Sequence, residues 1–270
     1  MYDKFIATVW DYYAQHKRDL PWRKDITPYN IVISEVMLQQ TQVSRIITKY
    51  EPFITELPNF QTLADASLPV LLELWQGIGY NRRAIYLQRL AQRVVEEYNG
   101  QLPDNPIILD TFPGIGEATA ASICVYAFNK PIPFIETNVR RIYIHHFFHD
   151  RTDIDDREIM PFVQKTLDTE NPREWYYALM DYGTMLGRTI DNPNKRSKHY
   201  SIQSQFEGSD RQIRGMVLKK LLNQSVDKQE LYTVLAKDES RVDKVITQLE
   251  KEGFIIEEGG MYRIKDESRV

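Results

Sequence analysis

Apolar residues recur at i, i+3 and i+4 along most of the chain from Tyr2 to about Asn192, as in Leu71–Trp75, Ala84–Tyr98 and Trp175–Leu186. Turn signals separate these stretches at Pro58-Asn59, Asn99-Gly100, Pro103–Pro106 and Pro113-Gly114. No segment here alternates like a strand, so the pattern predicts an all-α region. Asp191–Phe206 is polar and helix-poor, and reads as a linker. Beyond it, Gln212–Leu222, Lys228–Leu235 and Ser240–Glu252 return to helical periodicity. Phe254–Ile256, a Glu-Glu-Gly-Gly turn and Met261–Ile264 then read as a β-hairpin. Three helices followed by a hairpin is the order of a winged-helix module. The expected organisation is a helical domain over 1–190, a basic linker over 191–206 and a winged-helix-like module over 207–270.

Three short segments carry candidate chemistry. Phe112-Pro-Gly-Ile-Gly116, followed by a helix of small residues, can form a turn whose amides and helix N-terminus attract an anion such as a DNA phosphate. Taken alone it reads rather as a tight helix–helix turn. Ile31–Val43 is expected to be one helix, with a single carboxylate, Glu35, among Ile33, Val36, Met37 and Leu38. A carboxyl beside so much apolar surface has a raised pKa and suits a general acid; the plainer reading is an exposed helical Glu. Glu136 lies between the apolar run Pro133–Ile135 and the basic pair Arg140-Arg141. Its plainer reading is an acid at a helix N-terminus.

Charge and cysteine content narrow the picture. Thirty-four Lys and Arg against 38 Asp and Glu leave a net charge of −4, so a nucleic-acid partner must be met by local positive patches and backbone amides. A single cysteine, Cys124, excludes a disulfide framework and a multi-cysteine metal site within this sequence, and is expected to be a small buried apolar residue. The clustered His145, His146 and His149 are expected to pack rather than ligate, with His145 and His146 on different helix faces. No apolar run approaches the ~20 residues that span a bilayer, and no signal-peptide pattern opens the chain. The expected location is cytoplasmic, with the nucleoid in a bacterium.

Taken together, Leu20-Pro-Trp-Arg23, Thr27-Pro-Tyr29, Ser34–Val43, Leu74-Trp-Gln-Gly-Ile-Gly-Tyr80, Pro113–Gly116 and Met180-Asp-Tyr-Gly183 resemble the helix-hairpin-helix DNA glycosylases, most closely their A/G-mismatch-specific adenine branch. The likeness runs collinearly over about residues 5 to 190. It implies a mainly α, two-lobed glycosylase fold, here joined to the small winged-helix module. It implies a monofunctional base excision repair enzyme that flips adenine, mispaired with guanine or 8-oxoguanine, out of double-stranded DNA and hydrolyses its glycosidic bond. Glu35 would protonate the departing purine. Glu136, where the family has Asp, would stabilise the oxocarbenium-like sugar. Gln40 and Tyr80 would act as wedges in the duplex. Gln39, Arg83, Gly114, Gly116 and Asn138 would be further DNA contacts.

The resemblance also implies backbone carbonyls of Asp110, Phe112 and Ile115 around a structural sodium or potassium ion. Ala118 stands where relatives with strand-cleaving activity carry a lysine, so no lyase step is expected. Gly187 stands at the first of four positions that hold an iron–sulfur cluster in most relatives, and no cluster is expected here. The loop in its place, Arg188–His199, counts four Lys or Arg against one Asp, which makes Lys195, Arg196 and Lys198 expected phosphate contacts. Asp227–Val270 counts 8 basic and 11 acidic residues, so the C-terminal module is expected to pack on the helical region or bind a protein partner. Two alternatives stay open: removal of thymine, uracil or another damaged base by the same fold, and non-catalytic binding of DNA damage.

Overall fold

The computed structural model describes residues 1–266; the last four residues of the acidic segment Asp227–Val270 lie outside them. The chain divides into two compact units, and each is assembled from two separate stretches. The first comprises Met1–Glu35 with Pro103–Ile202, the second Val36–Leu102 with Gln203–Val270.

In the first unit α1 (Tyr2–His16) buries Phe5, Val9 and Tyr13 along one stripe, as its four-residue spacing requires. α2 (Pro28–Leu38) starts here and runs across the boundary. α7 (Pro106–Leu109) and α8 (Glu117–Phe128) flank the Pro-Gly-Ile-Gly turn. α9 (Thr137–Phe147), α10 (Asp156–Thr166) and α11 (Pro172–Thr189) follow, and α11 packs on both α9 and α1. The α9–α11 approach is close: a Cβ on Gly183 would lie 2.7 Å from the Cβ of Asn138. Only glycine fits there. A second brace joins distant motifs, because Arg23 grips buried Asp181 through two N–H···O bonds of 2.8 and 2.9 Å, and Arg18 adds a 2.5 Å bond.

The second unit begins with α3 (Val43–Glu56), α4 (Phe60–Ala64), α5 (Leu68–Leu74) and α6 (Arg82–Tyr98). Asn59 and Thr62 start α4 with a reciprocal capping box, and α6 ends where Asn99 turns left-handed (φ 52°). From the C-terminal stretch come α12 (Asp210–Asn223), α13 (Lys228–Leu235) and α14 (Glu239–Lys251), capped by Ser209, Asp227 and Asp238. The hairpin is β2 (Ile255–Glu258) and β3 (Met261–Ile264). A two-residue strand that periodicity could not reveal, β1 (Val226–Asp227), pairs antiparallel with β3 to give the order β1-β3-β2. These elements share one apolar core with the helices before them: Leu72 of α5 is buried with Ile213, Leu218, Val245 and Phe254. Glu252 adds ion pairs to both Arg82 and Arg214. No helix among the described residues is long and apolar enough to cross a membrane.

Candidate active site and nucleic-acid interface

Glu35 lies on α2 between buried Ser34 and Val36, and it is itself half-buried. Ser122 of α8 donates to its Oε2 at 2.5 Å. Burial is the dominant influence and pushes the Glu35 carboxyl up to about 7; the Ser122 bond pulls it down and the charge of Glu136 raises it further. The exposed-Glu reading is therefore set aside. Glu136 is the N-cap of α9, with its Oε1 accepting from the amides of Asn138 (2.5 Å) and Val139 (2.8 Å). Burial raises its pKa, against the pull of those amides and of Arg140 and Arg141. The helix-terminus reading and the site reading are thus both realised: the cap fixes the carboxylate where its charge reaches Glu35.

Asn138 serves Glu136 through its backbone, and its Oδ1 accepts from Arg141 at 2.7 Å. Arg141 also bonds the Gly183 carbonyl (2.7 Å) and Asn192 (3.2 Å). Its guanidinium occupies the space beside Gly187, where a Cβ would fall 2.7 Å from Cζ. Ser122 was not legible as a site residue, because only the fold brings it to Glu35; Arg141 was visible near Glu136 in the sequence, but its bonds to Asn138, Gly183 and Asn192 were not. Exposed Gly114 adopts φ 77°, and exposed Gly116 N-caps α8 without offering a side chain to its first-turn amides. Phe112 accepts from the Ile115 amide at 3.1 Å, which closes the turn carrying the Asp110, Phe112 and Ile115 carbonyls.

Several expectations need correction. The helix expected over Ile31–Val43 stops at Leu38, and Gln40 turns left-handed at φ 52°. The cause is Arg83, an expected DNA contact. It is buried, and its guanidinium donates to the carbonyls of Val36 (2.6 Å), Met37 (3.0 Å), Gln39 (2.7 Å) and Gly79 (3.2 Å) and to the Thr41 hydroxyl (2.9 Å). Arg83 therefore ends α2 from within instead of meeting phosphate. Arg196 is likewise committed, to the carbonyls of Ile144, Phe148 and His149. Residues 193–196 form a 3-10 turn with buried Pro193 and Asn194, so this part of the expected linker is packed structure. Lys195 and Lys198 remain exposed, but Asp191 lies 2.6 Å from one and Asp155 3.7 Å from the other. The positive excess of this loop is largely compensated. His145 and His146 pack, their rings meeting edge to face at 4.8 Å, and His146 also bonds Tyr182 at 3.0 Å, in keeping with the packing expected of them.

The second unit groups Gln39, Gln40, Tyr80 and Arg83. Gly77 (φ 83°) and Gly79 (φ 84°) shape the loop that presents Tyr80, itself left-handed at φ 49°. Arg83 stacks over the Tyr80 ring at 5.4 Å. Cys124 is buried, as expected.

The unit that holds Glu35 and Glu136 thus also carries a glycine turn between two helices, α7 and α8. The chain belongs to the HhH-GPD superfamily of base excision DNA repair proteins, whose family model matches residues 33–167. It is 33% identical over 187 residues to an adenine DNA glycosylase of Buchnera aphidicola, covering 67% of this chain and 52% of the relative. An adenine DNA glycosylase of Mycobacterium tuberculosis is 30% identical over 237 residues, 77% of this chain and 75% of that one. The chain thus spans about half the length of the Buchnera relative. The solved structure of a thermostable thymine-DNA glycosylase superposes with a TM-score of 0.62 at 22% identity, over 72% of this chain and 91% of that one, and so shares the fold.

Proposed function

We propose that this chain is a monofunctional DNA glycosylase that removes adenine mispaired with guanine or 8-oxoguanine from double-stranded DNA. The observation that carries the proposal is Glu35, held by Ser122 and pushed up to about 7, beside a second carboxylate locked into the cap of α9. With Oε2 engaged by Ser122, Oε1 carries the transferable proton. Its delivery to the purine lets the C1′–N9 bond break with the electron pair leaving on a neutral base. Glu136 would face the resulting cationic sugar, and water adds at C1′ as its surplus proton returns to the Glu35 carboxylate.

The hairpin and the start of α8 suit a phosphate, since Gly114 and Gly116 let a backbone strand approach closely. Neutral carbonyls of Asp110, Phe112 and Ile115 have the donor chemistry of a sodium or potassium site, which would offset that phosphate's charge. Ala118, exposed in the first turn of α8, offers no amine for a covalent sugar adduct.

Duplexes carrying A, T or U opposite G or 8-oxoguanine, incubated with the protein and then treated with alkali, test the assignment. Strand breaks at A alone are expected. Glu35→Gln and Glu136→Gln should each lower single-turnover base release by at least ~100-fold while DNA still binds. Breaks at T or U instead would reassign the target base, and full activity in either variant would remove the two carboxylates from the chemistry. Borohydride should trap no enzyme–DNA adduct.

A further inference from the structure

In the second unit α6 and α14 each turn one stripe of side chains toward a shared groove of about 670 Å³. Arg82 and Arg89 line it from α6, and Lys244 and Lys251 from α14. On each helix the two cations are seven residues apart, which is two turns or about 10 Å. Glu252, just past α14, pairs with Arg82 at the start of α6. The helices therefore run antiparallel along the groove, with Arg82 and Lys251 at one end and Arg89 and Lys244 at the other.

The charges of α14 are segregated in a way that its sequence balance conceals. Lys244 and Lys251 line the groove, whereas Glu239, Asp243 and Glu250 of the same helix do not. Among the described residues Glu252 is the only carboxylate in the lining, and Arg82 shares it with Arg214. Lys244 has Asp210 at 3.1 Å, outside the lining. Arg89 and Lys251 are exposed and meet no carboxylate among the described residues. A local positive excess thus sits on a module that is acidic as a whole. Between the cations the surface is apolar. Phe254 lines the groove from the buried core, Ile85 packs against that core, and the Tyr86 ring is 36% exposed.

A DNA backbone would use the cations but not the apolar surface between them. A duplex would also carry its charge onward past the acidic residues of the module, which repel it. A short peptide uses both features, because its carboxylates meet the two rows of cations while an apolar side chain covers Ile85 and Tyr86. Two facing helix stripes also form the kind of groove that an amphipathic segment fills. We propose that the α6–α14 groove docks a short acidic segment of a partner protein, with an apolar side chain seated on Tyr86 and carboxylates directed to Arg89 and Lys251. The C-terminal module would then connect this protein to a partner instead of reading DNA.

Fluorescence anisotropy of a labelled peptide, Glu-Asp-Leu-Glu-Asp-Phe-Leu-Glu-Asp-Glu, titrated with the full chain tests this. The peptide should bind at least ~10-fold more tightly than one with Ser for Leu and Phe, or one with Gln and Asn for Glu and Asp. Arg89→Gln with Lys251→Gln should weaken its binding by ~10-fold or more, and Tyr86→Ala by about threefold or more. Arg89→Glu with Lys251→Glu should instead favour a peptide with Lys in place of Glu and Asp. All three side chains are exposed, so melting temperatures should stay at the wild-type value. Duplex DNA should bind the Gln double variant within about twofold of wild type at 0.15 M salt, where charge is screened over ~8 Å. Equal affinity for the three peptides, or variants that bind the acidic peptide as the wild type does, would overturn the proposal. A parallel loss of duplex affinity would overturn it as well, and make the groove a DNA surface.

Discussion

Glu35 and Glu136 are both carboxyls raised by burial, yet their surroundings divide the work between them. Glu35 has one hydroxyl donor and a neighbouring negative charge, so near pH 7 a large fraction remains protonated. Glu136 has two amides and two arginines favouring its anion. A proton donor beside a held anion follows from those partners. The sign for activity is then set: base release should fall as pH rises through about 7, where Glu35 loses its proton, and should fall on the acid side when Glu136 gains one. Ser122→Ala removes a bond that favours the Glu35 anion. Its alkaline limb should move up by about one pH unit, since a hydrogen bond to a charged group is worth roughly 1.5–3 kcal/mol, part of which water can replace. A single-turnover pH profile reads this directly, and a limb that stays in place would detach Ser122 from the titration. Folding carries a signature of the same sign. Because the folded-state pKa of Glu35 lies above its ordinary 4.5, the favourable state is the protonated one, and stability should decline as pH rises from about 4.5 to 7. Glu35→Gln should remove that slope.

At the scale of elements, the end of α2 shows what a periodic pattern can and cannot convey. The apolar spacing from Ile31 onward predicts a helix, and Glu35's apolar setting was visible in its immediate neighbours. The stop at Leu38 depends on Arg83, which reaches the helix's last carbonyls from 45 residues downstream of that point and so leaves no trace in local spacing. Its own position in the first turn of α6, beside an aromatic-glycine loop, resembles that of a surface cation, and the family resemblance counted it among the DNA contacts. Burial lowers its pKa to about 10 without discharging it at neutral pH. Arg83→Met should cost on the order of 2–4 kcal/mol, because several buried carbonyls lose their donor at once, and thermal melting will show it. A melting temperature within a degree of wild type would mean that water replaces the guanidinium. Gly183 is a similar case: its motif Met180–Gly183 was legible as a resemblance, but the reason for the glycine is its close packing on Asn138, which only the α9–α11 approach creates.

For the whole molecule, the net charge of −4 conceals an uneven distribution, but not the one that residue counting suggests. The loop Arg188–His199 spends Arg196 on carbonyls and pairs Lys195 and Lys198 with carboxylates. Another group of cations, Arg45, Arg211 and Lys219 among them, lies around Tyr80. Lys195→Ala with Lys198→Ala should leave the melting temperature unchanged and lower the slope of log affinity against log salt by about 0.9 for each phosphate that the variant no longer neutralises. Arg196→Ala should act in reverse, lowering melting temperature with little change in slope. Domain limits were the least legible feature. Composition shifts mark where a chain changes character, and neither unit here is continuous in sequence.

That interleaving has a consequence for synthesis. As the chain leaves the ribosome, Val36–Leu102 emerges before Pro103–Ile202, so Met1–Glu35 must wait for its partners while a stretch of the other unit intervenes. The Arg23–Asp181 brace cannot form until α11 has been made, and Leu72 stays without its apolar neighbours until α12 and α14 appear. Both units therefore mature late, and a nascent chain paused before residue 203 would expose the α5–α6 surface to chaperones rather than to its own core.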